Sequence, residues 1–117
     1  MPPLHDVLTA LAGRPDAAGA LVASDEGLVI DAALPPGLEP ETIAALAATA
    51  FRTLHGLASA MHHGEPAQLV LDSTGGTVVL SQLTSTTTLV VLAAPGAELG
   101  ELLYDLRRHG PALAELV

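Results

Sequence analysis

The chain predicts an α/β (α+β) sandwich, a five-stranded antiparallel sheet with a long helix on one face and the N- and C-terminal helices on the other. Three observations carry that expectation. Apolar residues recur at helical spacing in three segments, five short apolar runs of strand type lie between them, and within each group the runs are joined by short turns. The implied order is α-β-β-α-β-β-β-α. Connections this short join antiparallel neighbours, because a parallel crossover needs a dozen or more residues.

Leu4, Val7, Leu8 and Leu11 fall at steps of three and four, and Gly13 with Pro15 ends this first helix. Ala17 to Ala23 is small and apolar throughout, so it reads as a strand buried on both faces. Asp25-Glu26-Gly27 then turns the chain into Leu28 to Ala33. After Pro35-Pro36-Gly37, Glu39-Pro40-Glu41 has the proline and acids of a helix start. A long helix follows, with Ile43, Leu46, Ala50, Leu54, Leu57 and Met61 as its expected core face and a second, alanine-rich face smooth enough for close helix packing. His62 to Pro66 closes it. Gln68 to Ser73 and Thr77 to Leu83 form a hairpin about Thr74-Gly75-Gly76, and Thr84-Ser85-Thr86 turns into the apolar run Leu89 to Ala94. The strands around Leu21 and Val91 belong at the centre of the sheet, being apolar without a break. Leu99, Leu102, Leu103 and Leu106 mark a final helix, which Gly110-Pro111 is expected to end or kink.

Half of the 117 residues are apolar, enough to bury a core in one domain, and no linker or repeat divides residues 1–117. Four basic residues against thirteen acidic ones give a net charge of −9, which repels nucleic-acid phosphates and anionic membranes. Without cysteine there are no disulfides, thiolate nucleophiles or cysteine zinc sites. The start, Met1 to Asp6, lacks the basic and apolar segments of a secretory signal, and no apolar run approaches the roughly 18 to 20 residues of a membrane span, so a cytoplasmic location is expected. With one Phe, one Tyr and no Trp, nothing suggests a cofactor cage, and no cofactor is expected.

The strand Gln68-Leu69-Val70-Leu71-Asp72 reads as an edge that carries neither proline nor lysine, the usual guards against pairing with another chain. A symmetric homodimer therefore follows as an expectation. Two such edges merge the sheets, and the long helices meet beside the seam through Ala44, Ala45 and Ala48.

The chain resembles the Roadblock family, the dynein light chain type domains that include MglB-type bacterial regulators of Ras-like GTPases. The resemblance rests on Gly19-Ala20-Leu21-Val22-Ala23-Ser24-Asp25-Glu26-Gly27-Leu28-Val29-Ile30, on the long alanine-rich helix, on Leu71-Asp72-Ser73-Thr74-Gly75-Gly76-Thr77-Val78-Val79-Leu80, and on Leu89-Val90-Val91-Leu92 before Ala97-Glu98-Leu99-Gly100. It implies a sandwich that dimerises through the third strand and the long helix. It also implies binding of a small Ras-like GTPase, or assembly of larger Roadblock complexes as a structural scaffold, with no catalytic chemistry of its own. Periodicity assigns Thr49, Arg52, Thr53 and His55 to the exposed side of the long helix as partner contacts, and Arg52 there could meet an acidic group or a phosphate. Asp105, Arg107 and Arg108 on the last helix form the rival surface.

Other constellations read as structural. His55, His62 and His63 with Glu65 could converge on zinc, but no His-Glu-x-x-His motif is present and adjacent histidines diverge on a helix, so no metal site is expected. Ser73-Thr74-Gly75-Gly76 lacks the Gly-Lys-Ser/Thr ending of a phosphate loop. Ser24 and Ser81 sit in no Gly-x-Ser-x-Gly elbow, and Thr84 to Thr88 reads as a polar turn and strand start.

Overall fold

The computed structural model describes residues 3–117. Met1 and Pro2, the start of the N-terminal segment considered above, lie outside the described residues. Three helices and five strands follow in the expected order: α1 (Leu4–Ala12), β1 (Ala17–Ser24), β2 (Val29–Ala33), α2 (Pro40–Ala60), β3 (Gln68–Ser73), β4 (Gly76–Thr84), β5 (Thr87–Ala93) and α3 (Leu99–Ala114). The strands form one antiparallel sheet ordered β2-β1-β5-β4-β3. The last strand thus returns to the middle, between β1 and β4. Leu21 and Val91 are fully buried there, as their unbroken apolar surroundings predict, and β3 is an edge.

Alternation along the strands splits the core in two. On one face Ala20, Val22, Val79, Leu89 and Val91 meet Leu8 and Leu11 of α1 and Leu102, Leu106 and Leu113 of α3. On the other, Leu21, Ala23, Leu80 and Val90 meet Ala44, Ala47 and Phe51 of α2. The expected layering is therefore the observed one.

The orientation of α2 differs from expectation. Ala44 (0 % exposed), Ala47, Ala48 and Phe51 face the sheet, whereas Leu46 (65 %), Leu57 (53 %), Leu54 and Met61 are exposed. Ile43 is the member of the expected core face that packs against this core, at its margin. The cause is spacing. Residues 44, 47, 48 and 51 are themselves an i, i+3, i+4, i+7 stripe, and alanine allows the helix axis to lie close to a sheet whose own side chains fill the gap. The leucines are left outside.

Pro111 does not end α3. The helix runs on to Ala114, and Leu113 beyond the proline is still buried in the core. Anchoring of Leu113 offsets the hydrogen bond that proline cannot donate.

Two polar ties fasten the helices on this face. Arg14, just after α1, donates from Nε and Nη2 to Asp16 at 2.9 and 2.8 Å, and from Nη2 to Asp105 of α3 at 2.7 Å. The guanidinium holds the Asp16 carboxyl below the usual carboxylate range. His5 of α1 pairs through Nδ1 with Asp31 of β2 at 2.9 Å, and its pKa is raised, first by that hydrogen bond and then by the charge of Asp31. A raised folded value means that this contribution is complete below the unfolded pKa of about 6.5 and is lost as pH rises through the folded one. His5→Gln should therefore flatten the fall in stability from about pH 6 to pH 8. Denaturant midpoints across that range check this; an unchanged slope would mean that the pair is energetically silent.

Candidate interaction surface

Edge strands expose backbone groups, and the register identifies which ones. Gln82 donates its N–H to the carbonyl of Ala67 at 3.0 Å. By antiparallel alternation, residues 69, 71 and 73 then turn their N–H and C=O groups toward β4, and Gln68, Val70 and Asp72 turn theirs outward. Val70 (44 % exposed) and Leu71 (59 %) remain open to solvent on opposite faces. Leu69 packs at the margin of the α2-side core, so Leu71 lies on the same side of the sheet as α2. Among the described residues, an unpaired ladder edge and five exposed apolar side chains, Leu46, Leu54, Leu57, Met61 and Leu71, mark this side of the molecule.

The residues expected at a seam are not equivalent. Gln68 contributes its outward backbone, but its side chain turns inward: Nε2 donates to Ser81 Oγ at 3.0 Å and to the Leu103 carbonyl at 3.2 Å, while Oε1 accepts from Arg107 Nε at 2.7 Å. Asp72 accepts from Thr77 Oγ1 at 3.2 Å. Ala44 and Ala48 are buried against their own sheet, so neither has side-chain surface left for a partner. Ala45 is exposed, yet it backs the β1–β2 turn. Gly27 there has φ of +86°, and a Cβ added to it would lie 3.1 Å from Ala45 Cα. Gly27→Ala combines a left-handed backbone with that overlap, and should cost about 2 kcal/mol by urea denaturation.

The expected partner contacts divide into two groups. Thr49 and Thr53 return their hydroxyls to the carbonyls of Ala45 (3.0 Å) and Thr49 (2.9 Å), so both hydroxyls are already used within the helix. Arg52 and His55 instead line a cleft of about 290 Å³, whose other walls include Asp25, Gln82, Ser85 and Thr88. Arg52 Nη1 donates to the Asp25 carbonyl at 3.0 Å. Asp25, Gln82, Ser85, Thr87 and Thr88 were not singled out together by sequence. They come from the β1–β2 turn and, far along the chain, from the adjoining ends of β4 and β5 with the turn between them, and the only hint was the density of threonine at 84 to 88.

On the rival surface, Asp105 is engaged by Arg14 and Arg107 by Gln68, while Arg108 is exposed. A largely apolar groove of about 440 Å³ lies nearby between α1 and α3, lined in part by Val7, Leu11, Leu106 and Leu113. Ser24 Oγ accepts from the Leu28 N–H at 3.1 Å and closes the β1–β2 turn, and Ser81 is bound to Gln68, so both hydroxyls have structural partners. Among the described residues no three His, Asp or Glu side chains are placed to hold a metal ion together, and no helix is long and apolar enough to cross a membrane.

A sheet with a long helix on one face, two terminal helices on the other, and an open β3 edge defines a class of small α+β sandwich domains. The chain belongs to the Roadblock/LC7 domain family, whose pattern it matches over residues 4–93. Among solved structures it is similar to Myxococcus xanthus MglB, with 18 % identity, 97 % of this chain and 93 % of that one covered, and a TM-score of 0.88. A Roadblock/LC7 domain from Streptomyces avermitilis is 25 % identical over 97 % and 93 % of the two chains, with a TM-score of 0.80. The gliding protein MglB of Thermus thermophilus shows 19 % identity, coverage of 97 % and 87 %, and a TM-score of 0.81. No curated protein matches the sequence.

Proposed function

We propose that residues 1–117 act as one Roadblock domain that pairs with a second copy through the β3 edge and the exposed leucine side of α2, and that the dimer is a cytoplasmic docking platform for a small Ras-like GTPase. The observation that carries this reading is the outward stripe of Leu46, Leu57 and Met61 on the same side as the open edge bearing Leu71. A helix that turns leucines outward and alanines inward needs a second surface to cover the leucines. Family membership supports a regulatory or scaffolding role. The seam consists of the outward backbone of Gln68, Val70 and Asp72 with Leu69, Leu71 and Ala45 beside it. Arg52 and His55, on the flank of α2 that lines the cleft, contact the GTPase, while Thr53 lies in the leucine stripe that the second copy covers and Thr49 at its border.

The experiment has two stages. Analytical ultracentrifugation should give a dimer mass at micromolar concentration. Binding to a candidate small GTPase should then differ between its GDP- and GTP-analogue-loaded forms. Equal binding to both forms favours the second reading, a purely structural scaffold that joins other Roadblock domains. A monomer at high concentration defeats both.

A further inference from the structure

The cleft beside Arg52 has the chemistry of a defined subsite. Four basic residues serve the whole chain, and they are used differently. Arg14 is neutralised by Asp16 and Asp105, and Arg107 donates to Gln68. Arg52 gives one N–H to a backbone carbonyl and, among the described residues, has no carboxylate within ion-pair distance. A guanidinium has five N–H donors, so most of its hydrogen-bonding capacity remains for a ligand.

The walls are held in place before any ligand arrives. The Asp25 N–H donates to the Thr86 carbonyl at 2.9 Å, which joins the β1–β2 turn to the β4–β5 turn, and Arg52 clips α2 to the first of these. Thr84 and Thr87 share a hydroxyl hydrogen bond at 2.6 Å, and Gln82 Nε2 donates to the Thr84 carbonyl at 2.9 Å. Ala48 and Phe51, both nearly buried, supply apolar lining. A cavity with an apolar lining, a fork of N–H donors and the hydroxyls of Ser85 and Thr88 matches a short aliphatic stem ending in an anion. Charge selects the anion. The acidic residue Asp25 is part of the cleft wall and the chain carries −9 overall, so a single guanidinium suits one negative charge better than the two of a phosphate.

We propose that this cleft binds one carboxylate side chain, glutamate or aspartate, presented by a protein partner, with Arg52 as its forked donor. The proposal deepens the docking reading of α2 by naming the group that enters, but it requires only a carboxylate and no particular partner.

The probe is sodium acetate, titrated into the ¹⁵N-labelled full chain against sodium chloride at equal ionic strength. Acetate should produce saturable shifts of the Arg52 Nε–H and of the Ser85 to Thr88 amides, and inorganic phosphate should bind more weakly. Arg52→Gln should weaken acetate binding on the order of tenfold, and Arg52→Lys, which keeps the charge without the fork, by several-fold. If Arg52→Gln does not fold, the lysine variant decides. Shifts that chloride reproduces, tighter binding of phosphate, or acetate affinity unchanged in the lysine variant would each overturn the proposal. Intact acetate binding in a protein that binds no GTPase would defeat only the docking reading.

Discussion

Val70→Pro is expected to leave a folded monomer where the proposed pairing predicts a concentration-dependent dimer for the native chain, with the dimer dissociation constant raised on the order of a hundredfold or more. The register makes this substitution selective. Val70 lies opposite Val79 in a pair whose N–H and C=O groups do not bond each other, so its N–H points away from β4 toward the open edge. Proline there removes an outward donor and places its ring in the path of an incoming strand, while the β3–β4 ladder keeps its bonds through Leu69 and Leu71. A proline at Leu69 or Leu71 would instead remove a β3–β4 bond and confuse dissociation with unfolding. Sedimentation velocity across a hundredfold dilution series reads the result, and the melting temperature of the variant should no longer depend on protein concentration. A variant that sediments as a dimer at every dilution places the seam elsewhere.

The features legible in the sequence were those written by local pattern. Unbroken apolar runs placed Leu21 and Val91 in the middle of the sheet, and the turns Asp25-Glu26-Gly27 and Thr74-Gly75-Gly76 fixed antiparallel order. The edge at Gln68 to Asp72 was visible because this strand opens the second sheet segment while the unbroken apolar runs claim the centre, and the missing proline and lysine marked it as open to pairing. The rotation of α2 was not legible, because two stripes fit the same period and transfer free energy alone ranks Leu46 and Leu57 above Ala44 and Ala48 for burial. What decides is the distance between helix and sheet, a tertiary quantity. The density of alanine at 44, 47 and 48, followed by Phe51, was the available signal. The polar cleft was half legible. Arg52 stood out as a lone cation among apolar residues, but its neighbours Asp25 and Ser85 are brought to it by the pairing of β1 with β5, which the bond from the Asp25 N–H to the Thr86 carbonyl extends into the turns. Gln68 shows the same limit, since its backbone is on the edge while its side chain belongs to α3.

The orientation of α2 leads to the second large effect. Ala44→Leu should cost about 3 kcal/mol or more of folding stability, because Ala44 is fully buried against Leu21, Ala23 and Val90 and the added atoms must lift the helix from the sheet. For a chain of this size the melting temperature should fall by about 10 °C or more. If Ala44 instead met a partner helix, the same change would weaken association and leave the monomer intact. Combining it with Val70→Pro separates the cases: in a chain already monomeric, Ala44→Leu should still lower the melting temperature by the same amount, since the two sites lie on different elements and act on different equilibria. Leu57→Ala is the counterpart. Its side chain is 53 % exposed in the single chain, so in that monomeric background truncation should change stability by less than about 1 kcal/mol, while in the native background it should weaken the dimer. A monomer that tolerates leucine at 44 but not alanine at 57 would mean that α2 presents its other face to the sheet.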